Sequence, residues 1–167
     1  MRNILFFGGA SLLSNIWSKY WRDRYNIIIA VNKRKINIDG TKTIQLPKDI
    51  YDIESIIQEH DIDLLINCAG LTGVEDCERS PDEAYELNGY LPGKLGEITF
   101  NNNVKLIHIS TDHLFDGKAH KYNEDSDVNP LNVYAKSKHV GEQEVLKNNK
   151  KALVIRTNFF GNGPAHK

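Results

Sequence analysis

Six short apolar runs, set apart by longer amphipathic or polar stretches, constrain this chain more than any other feature. They begin at Ile4, Ile27, Lys42, Leu64, Lys105 and Leu153 and end at Phe7, Val31, Leu46, Asn67, Ser110 and Arg156. Consecutive apolar side chains suit strands buried on both faces, the situation in a parallel sheet. The third run is the weakest, and Pro47 stops it. Helical patterns lie between the runs. One extends from Ser11 to Tyr20, and a short one is marked by Ile53, Ile56 and Ile57. A third opens at Ser80 as N-cap, with Pro81 at N1 and Glu83 at N3, and runs to about Asn101 with a bend at Pro92 and Gly93. The last covers Val133 to Lys147. Regular strand–helix alternation predicts one α/β domain, doubly wound, with a mainly parallel sheet in the order 3-2-1-4-5-6 and helices on both faces.

Composition removes several classes of function. The 167 residues carry 21 Lys and Arg against 22 Asp and Glu. That balance supplies no basic field for nucleic acid or an anionic membrane. No apolar run approaches the ~20 residues that span a bilayer, and the apolar part of the N-terminus is too short for a signal peptide. Two cysteines, Cys68 and Cys77, make no disulfide framework, so a reducing, cytoplasmic setting is expected. His108, His113 and His120 lack zinc-ligand spacing and no metal is expected; one of the three should face the core.

Four stretches can carry chemistry. The first run ends in Gly8-Gly9-Ala10-Ser11, where a dinucleotide fingerprint would sit. Serines at 11 and 14 stand where that fingerprint has glycine, and an ordinary strand–turn–helix fits as well. Ser11 can offer its hydroxyl to a phosphate at the helix N-terminus, but its Cβ crowds the pyrophosphate. Tyr134 and Lys138 are four residues apart on one helix face, so an ammonium there would lower the phenol's pKa. A solvated Tyr and Lys is the alternative. Ser110 and Thr111 end the fifth run, where α/β folds place ligands, and their hydroxyls suit a carbonyl oxygen. Asn67-Cys68-Ala69-Gly70 gives small residues against which a cofactor can lie, or merely a tight turn. Cys68 reads as a small buried residue. Cys77, among Glu75, Asp76 and Glu78, reads as a disfavoured thiolate.

Together these stretches resemble the extended short-chain dehydrogenase/reductase superfamily, and most of all its dTDP-4-dehydrorhamnose reductase-like branch, which modifies sugar nucleotides. The likeness rests on Asp63 to Glu78, Ala84 to Asn88, Ser110 to Gly117, Pro130 to Lys138 with Gly141-Glu142, and Ile155-Arg156-Thr157. It implies a Rossmann domain in which Tyr134 donates a proton, Lys138 lowers its pKa and binds ribose, and Thr111 bonds the keto oxygen. Gly8, Ser11 and Leu13 would line the cofactor turn, with Ser110, Asn67, Ala69 and Gly70 also on the cofactor side. Asp49 and Ile50 would meet the adenine, and Asn88 would brace the central helix.

After the second run the chain reads Asn32-Lys33-Arg34-Lys35, with no acid for ribose hydroxyls and three cations that favour a 2′-phosphate. NADP is therefore the expected cofactor, with NAD the alternative; a solvated basic loop would read the same way. His113 departs from the tyrosine usual in the branch. The resemblance also implies that residues 1–167 are the NAD(P)-binding half of a longer protein whose smaller lobe contacts substrate. The implied activity is NADP-dependent reduction, or epimerisation and reduction, of a nucleotide-activated keto-sugar for surface polysaccharide, in a monomer or homodimer. The competing function is a non-catalytic NAD(P)-binding regulatory subunit.

Overall fold

The computed structural model describes residues 1–33, 36–119 and 121–159. Its centre is a six-stranded sheet in which every pairing is parallel, in the order β3-β2-β1-β4-β5-β6. The strands are β1 Asn3–Phe7, β2 Asn26–Val31, β3 Lys42–Gln45, β4 Leu64–Asn67, β5 Lys105–Thr111 and β6 Leu153–Thr157. The helices are α1 Leu12–Trp21, α2 Ile53–Glu59, α3 Val74–Arg79, α4 Pro81–Tyr85, α5 Leu91–Asn101 and α6 Val133–Asn148. The doubly wound order expected from the alternation is the one observed.

Period-two alternation sorts the core into two layers. Leu5, Phe7, Ile28, Ala30 and Leu65 face Ile53 and Ile57 of α2, Leu95 and Ile98 of α5, and Val145 of α6. Ile4, Phe6, Ile27, Ile29 and Ile66 face Leu13, Trp17 and Trp21 of α1. Ser14 and Ser18 are fully buried on that same helix. Ser14 stands at the fingerprint's third glycine, a position that exists for close helix–strand packing. Its hydroxyl finds no partner.

The helix expected from Ser80 to Asn101 is not continuous. Ser80 makes no side-chain cap bond. The ladder widens to a π turn over Glu86–Tyr90, where the Leu91 N–H reaches back to the Glu86 carbonyl. The cause lies at Pro92, which has no N–H to give the Asn88 carbonyl, so the distortion falls one turn before the expected bend. That carbonyl packs on α6, where a Cβ at Gly141 would lie 2.1 Å from it. Gly93 serves packing as well: a Cβ there would meet Glu144 at 2.8 Å. The helix α3 was not expected. It puts buried Cys77 beneath the site, with its Sγ donating to the Leu71 carbonyl at 3.5 Å.

Candidate active site at the carboxyl edge of the sheet

The turn after β1 is fixed from both sides. Gly8 has φ of 84°, and a Cβ on it would lie 2.5 Å from the Ala69 nitrogen. The Gly9 N–H donates to the Ala30 carbonyl at 2.8 Å. Only glycine satisfies this conformation and this closeness together. Ser11 is the N-cap of α1, and its Oγ accepts the Ser14 N–H at 3.1 Å. That bond uses a lone pair only, so the Ser11 hydroxyl proton is still free to donate, towards Cys68 or a phosphate oxygen. The Asn15 carboxamide closes the turn by donating to the carbonyls of Gly9 and Ser11. The Ser11 N–H is spent on the Gly8 carbonyl. A helix start leaves its first N–H groups without internal partners, and with Ser11 and Ser14 supplied, those of Leu12 and Leu13 are left to meet an anion. No acidic residue stands in this first turn. The turn therefore fits a pyrophosphate.

The exit of β4 forms the facing wall. Asn67 is only 1% exposed and points inward. Its Oδ1 accepts the Ala69 N–H at 3.0 Å, and its Nδ2 faces His108 Nδ1 at 3.1 Å. Asn67 is thus a support rather than a surface against the cofactor; Ala69 and Gly70 are the accessible residues. Asn88 pins this loop, exchanging two bonds with Leu71 and donating to Ser137 Oγ on α6. Ser137 in turn donates to the Tyr134 carbonyl.

Helix α6 carries Tyr134, Lys138 and Glu142 one turn apart. Its start is capped twice: Asn132 accepts the Ala135 N–H, and Glu78 of α3 accepts the Val133 N–H. The Tyr134 phenol is pushed above its ordinary pKa, chiefly by burial, while the Thr111 side chain pulls it the other way. The expected lowering by Lys138 is not observed. The Lys138 ammonium donates to the Ile109 carbonyl at 2.6 Å. Burial lowers the Lys138 pKa to about 8, against the upward pull of Glu142 and Cys68. Thr111 caps the short turn after β5, its Oγ1 accepting the His113 N–H at 3.2 Å. His113 meets Tyr134 edge to face at 5.7 Å between ring centres. Beside them opens a cleft of ≈ 590 Å³ lined by Asp112, His113, Phe115, Tyr122 and Leu131. Ser110 is 3% exposed and its hydroxyl has no partner.

The remaining expected residues lie further along the same edge. Asn32 and Lys33 are exposed at the end of β2, and the Asn32 carbonyl accepts from Gln45. Arg34, Lys35 and His120 lie outside the described residues. Asp49 caps the turn Ile50–Asp52, its carboxylate accepting the Tyr51 N–H at 3.0 Å.

Two residues take parts that the sequence did not indicate. Cys68 is half-buried between the Ser11 side chain and Lys138, and burial pushes its thiol up to about 12, which keeps it unreactive. Glu142, 4% exposed, is gripped by Arg156 of β6 through Nε and Nη2. Arg156 lies over the Phe115 ring, which stacks on Tyr122. Glu142 and Arg156 were named only as parts of family motifs and Cys68 only as a small buried residue, with no sign of their contacts to Lys138 or to each other. Among the described residues no helix is long and apolar enough to cross a membrane.

The family model for the RmlD substrate binding domain matches residues 1–164. The chain belongs to this family. The likeness read from the motifs is thereby confirmed. Within the RmlD family, the dTDP-4-dehydrorhamnose reductase of Aggregatibacter actinomycetemcomitans is 37% identical over 165 residues, 96% of this chain and 53% of that protein. The methionine adenosyltransferase 2 subunit beta of Xenopus laevis is 36% identical over 104 residues, 62% of this chain and 31% of that protein. A dTDP-4-dehydrorhamnose reductase from Bacillus anthracis, solved in complex with NADP, shares the fold. Its TM-score is 0.74 at 24% identity, covering 98% of this chain and 57% of that one. The chain thus spans about half the length of these reductases.

Proposed function

We propose that these residues form the cofactor-binding half of an NADP-dependent reductase acting on a nucleotide-activated keto-sugar, of the dTDP-4-dehydrorhamnose reductase kind. The observation that carries this reading is the convergence of Thr111, Tyr134 and Lys138 beside the glycine turn, at the carboxyl edge of a parallel sheet. The relative solved with NADP supports the cofactor, as does the end of β2, where Asn32 and Lys33 stand and no acid is present. NADPH, when bound, supplies the hydride. Tyr134, kept protonated by burial, delivers the proton from its Oη to the carbonyl oxygen. The Thr111 Oγ1 accepts the His113 N–H and donates to Asp112 Oδ1 only at 3.5 Å, a long bond that it can exchange for one to that same oxygen. Lys138, held on the Ile109 carbonyl behind Tyr134 on the same helix, carries its proton below about pH 8.

Titration of the chain with NADPH and NADH, followed by nicotinamide fluorescence, tests the cofactor; tighter NADH binding would count against NADP. Turnover of nucleotide-activated 4-keto sugars tests the reaction. The 167-residue chain should bind cofactor without useful turnover, because substrate orientation is worth roughly 7–11 kcal/mol of the barrier. Robust reduction by residues 1–167 alone would refute the division of labour. The adenosyltransferase-subunit relative, and serines at 11 and 14 where the fingerprint has glycine, favour a second reading as a non-catalytic regulatory subunit. Full-length protein that binds NADPH but reduces no member of the sugar panel would select it.

A further inference from the structure

We propose that His108 is the positioning residue for the cofactor-facing turn: through Asn67 it fixes the Ala69 backbone against Gly8. His108 is fully buried beneath the site, paired in register with Asn67 across β4 and β5. The Asn67 Oδ1 must face Ala69, because a backbone N–H only donates, and so the Asn67 amide NH₂ faces the imidazole. His108 Nδ1 is then the acceptor, and its proton sits on Nε2. Burial and the nearby Lys138 charge both oppose a second proton on the ring.

The arrangement removes an ambiguity that a carboxamide alone leaves open. Turned over, Asn67 would point its NH₂ at the Ala69 N–H, donor against donor. An acceptor at position 108 makes that orientation the worse one twice over. The effect reaches the cofactor turn directly, since the missing Gly8 Cβ would fall 2.5 Å from the Ala69 nitrogen and 2.6 Å from its Cα. A shift of Ala69 is therefore a shift of the glycine turn. The ring gives up a bond to do this. Nε2 is buried without a partner, facing α6 where a Cβ on Gly141 would lie 3.5 Å from it. A purely space-filling residue would carry no such orphan.

The consequence for cofactor affinity rests on the function proposed above; the consequence for the turn does not. Two variants separate positioning from packing. His108→Leu loses the acceptor and also the orphaned donor. His108→Asn places an amide oxygen close to where Nδ1 stood. We expect the Leu variant to change the melting temperature little, because the orphaned donor goes while the buried Asn67 amide loses its acceptor, to exchange the Ala69 amide hydrogen faster, and to bind NADPH roughly five-fold more weakly, the worth of one hydrogen bond. The Asn variant should restore both slow exchange and affinity. Unchanged Ala69 exchange in the Leu variant would overturn the inference. So would an Asn variant that matches Leu, or a loss of stability in both with faster exchange throughout the sheet. Should the wild-type chain bind neither NADPH nor NADH, the proposed function fails, and the exchange comparison still decides the role of His108.

Discussion

Replacing Lys138 by Met should change how stability depends on pH, not merely its level. The ammonium is 5% exposed and donates to the Ile109 carbonyl. Burial lowers its pKa from 10.5 to about 8. In that window the unfolded chain holds a proton that the folded chain has released. Stability from this group therefore rises with pH, is complete above 10.5, and is lost as pH falls through about 8. A shift of this size is worth about 3 kcal/mol over the whole window, at ~1.4 kcal/mol per unit. Between pH 7.5 and pH 10 about 2 kcal/mol of it should be visible. Cys68 also titrates abnormally, near 12 when folded, and it is coupled to Lys138, so both proteins carry Cys68→Ala to remove that contribution. Urea unfolding of this background with and without Lys138→Met at the two pH values measures the difference. The protein that keeps Lys138 should gain on the variant as pH rises. Parallel pH curves would refute the claim that Lys138 is held desolvated.

Four further outcomes follow from the same geometry. Gly8→Ala should cost at least ~1–2 kcal/mol from its left-handed backbone alone, with the Ala69 clash added, and should abolish cofactor binding by fluorescence titration. Arg156→Met should destabilise by about 3–5 kcal/mol in denaturant melts, because Glu142 is left buried without its partner, and adding Glu142→Gln should recover most of the loss. Ser11→Gly should tighten NADPH binding by clearing the Cβ from the turn, while the lost cap lowers stability by only a few tenths of a kcal/mol. Tyr134→Phe in the full-length protein should lower kcat roughly 10²–10⁴-fold with cofactor affinity nearly unchanged.

What could be read in advance was what local pattern determines. The runs at Ile4–Phe7 and Ile27–Val31 fix two central strands because every residue in them is apolar. Tyr134, Lys138 and Thr111 were visible as types at spacings. Their environments were not, since a four-residue interval says nothing of burial: it suggested a lysine that lowers the Tyr134 pKa, whereas Lys138 bonds to Ile109 and desolvation raises the phenol. Asn67 was placed beside the cofactor by the family likeness, but its side-chain direction is set by His108, 41 residues away. Cys68 and Glu142 matter only because the fold sets them around Lys138. The π turn escaped notice because its cause, Pro92, acts one turn upstream.

The sheet's register makes it a ruler for the site. Ile44, Ala30, Phe7, Asn67, His108 and Val154 lie in one continuous row across all six strands. The cofactor turn, the β4 exit loop and the Thr111 turn start within a few residues beyond that row. Segments separated by over a hundred residues of chain are thus measured from a common baseline. A single residue inserted below the row in β4 would advance its loop by about 3.3 Å and turn each side chain to the opposite layer. An insertion above the row would leave the baseline where it is. The architecture thus separates the length of each strand, which cannot drift, from the loops past the row, which can be rewritten for a new substrate without disturbing one another.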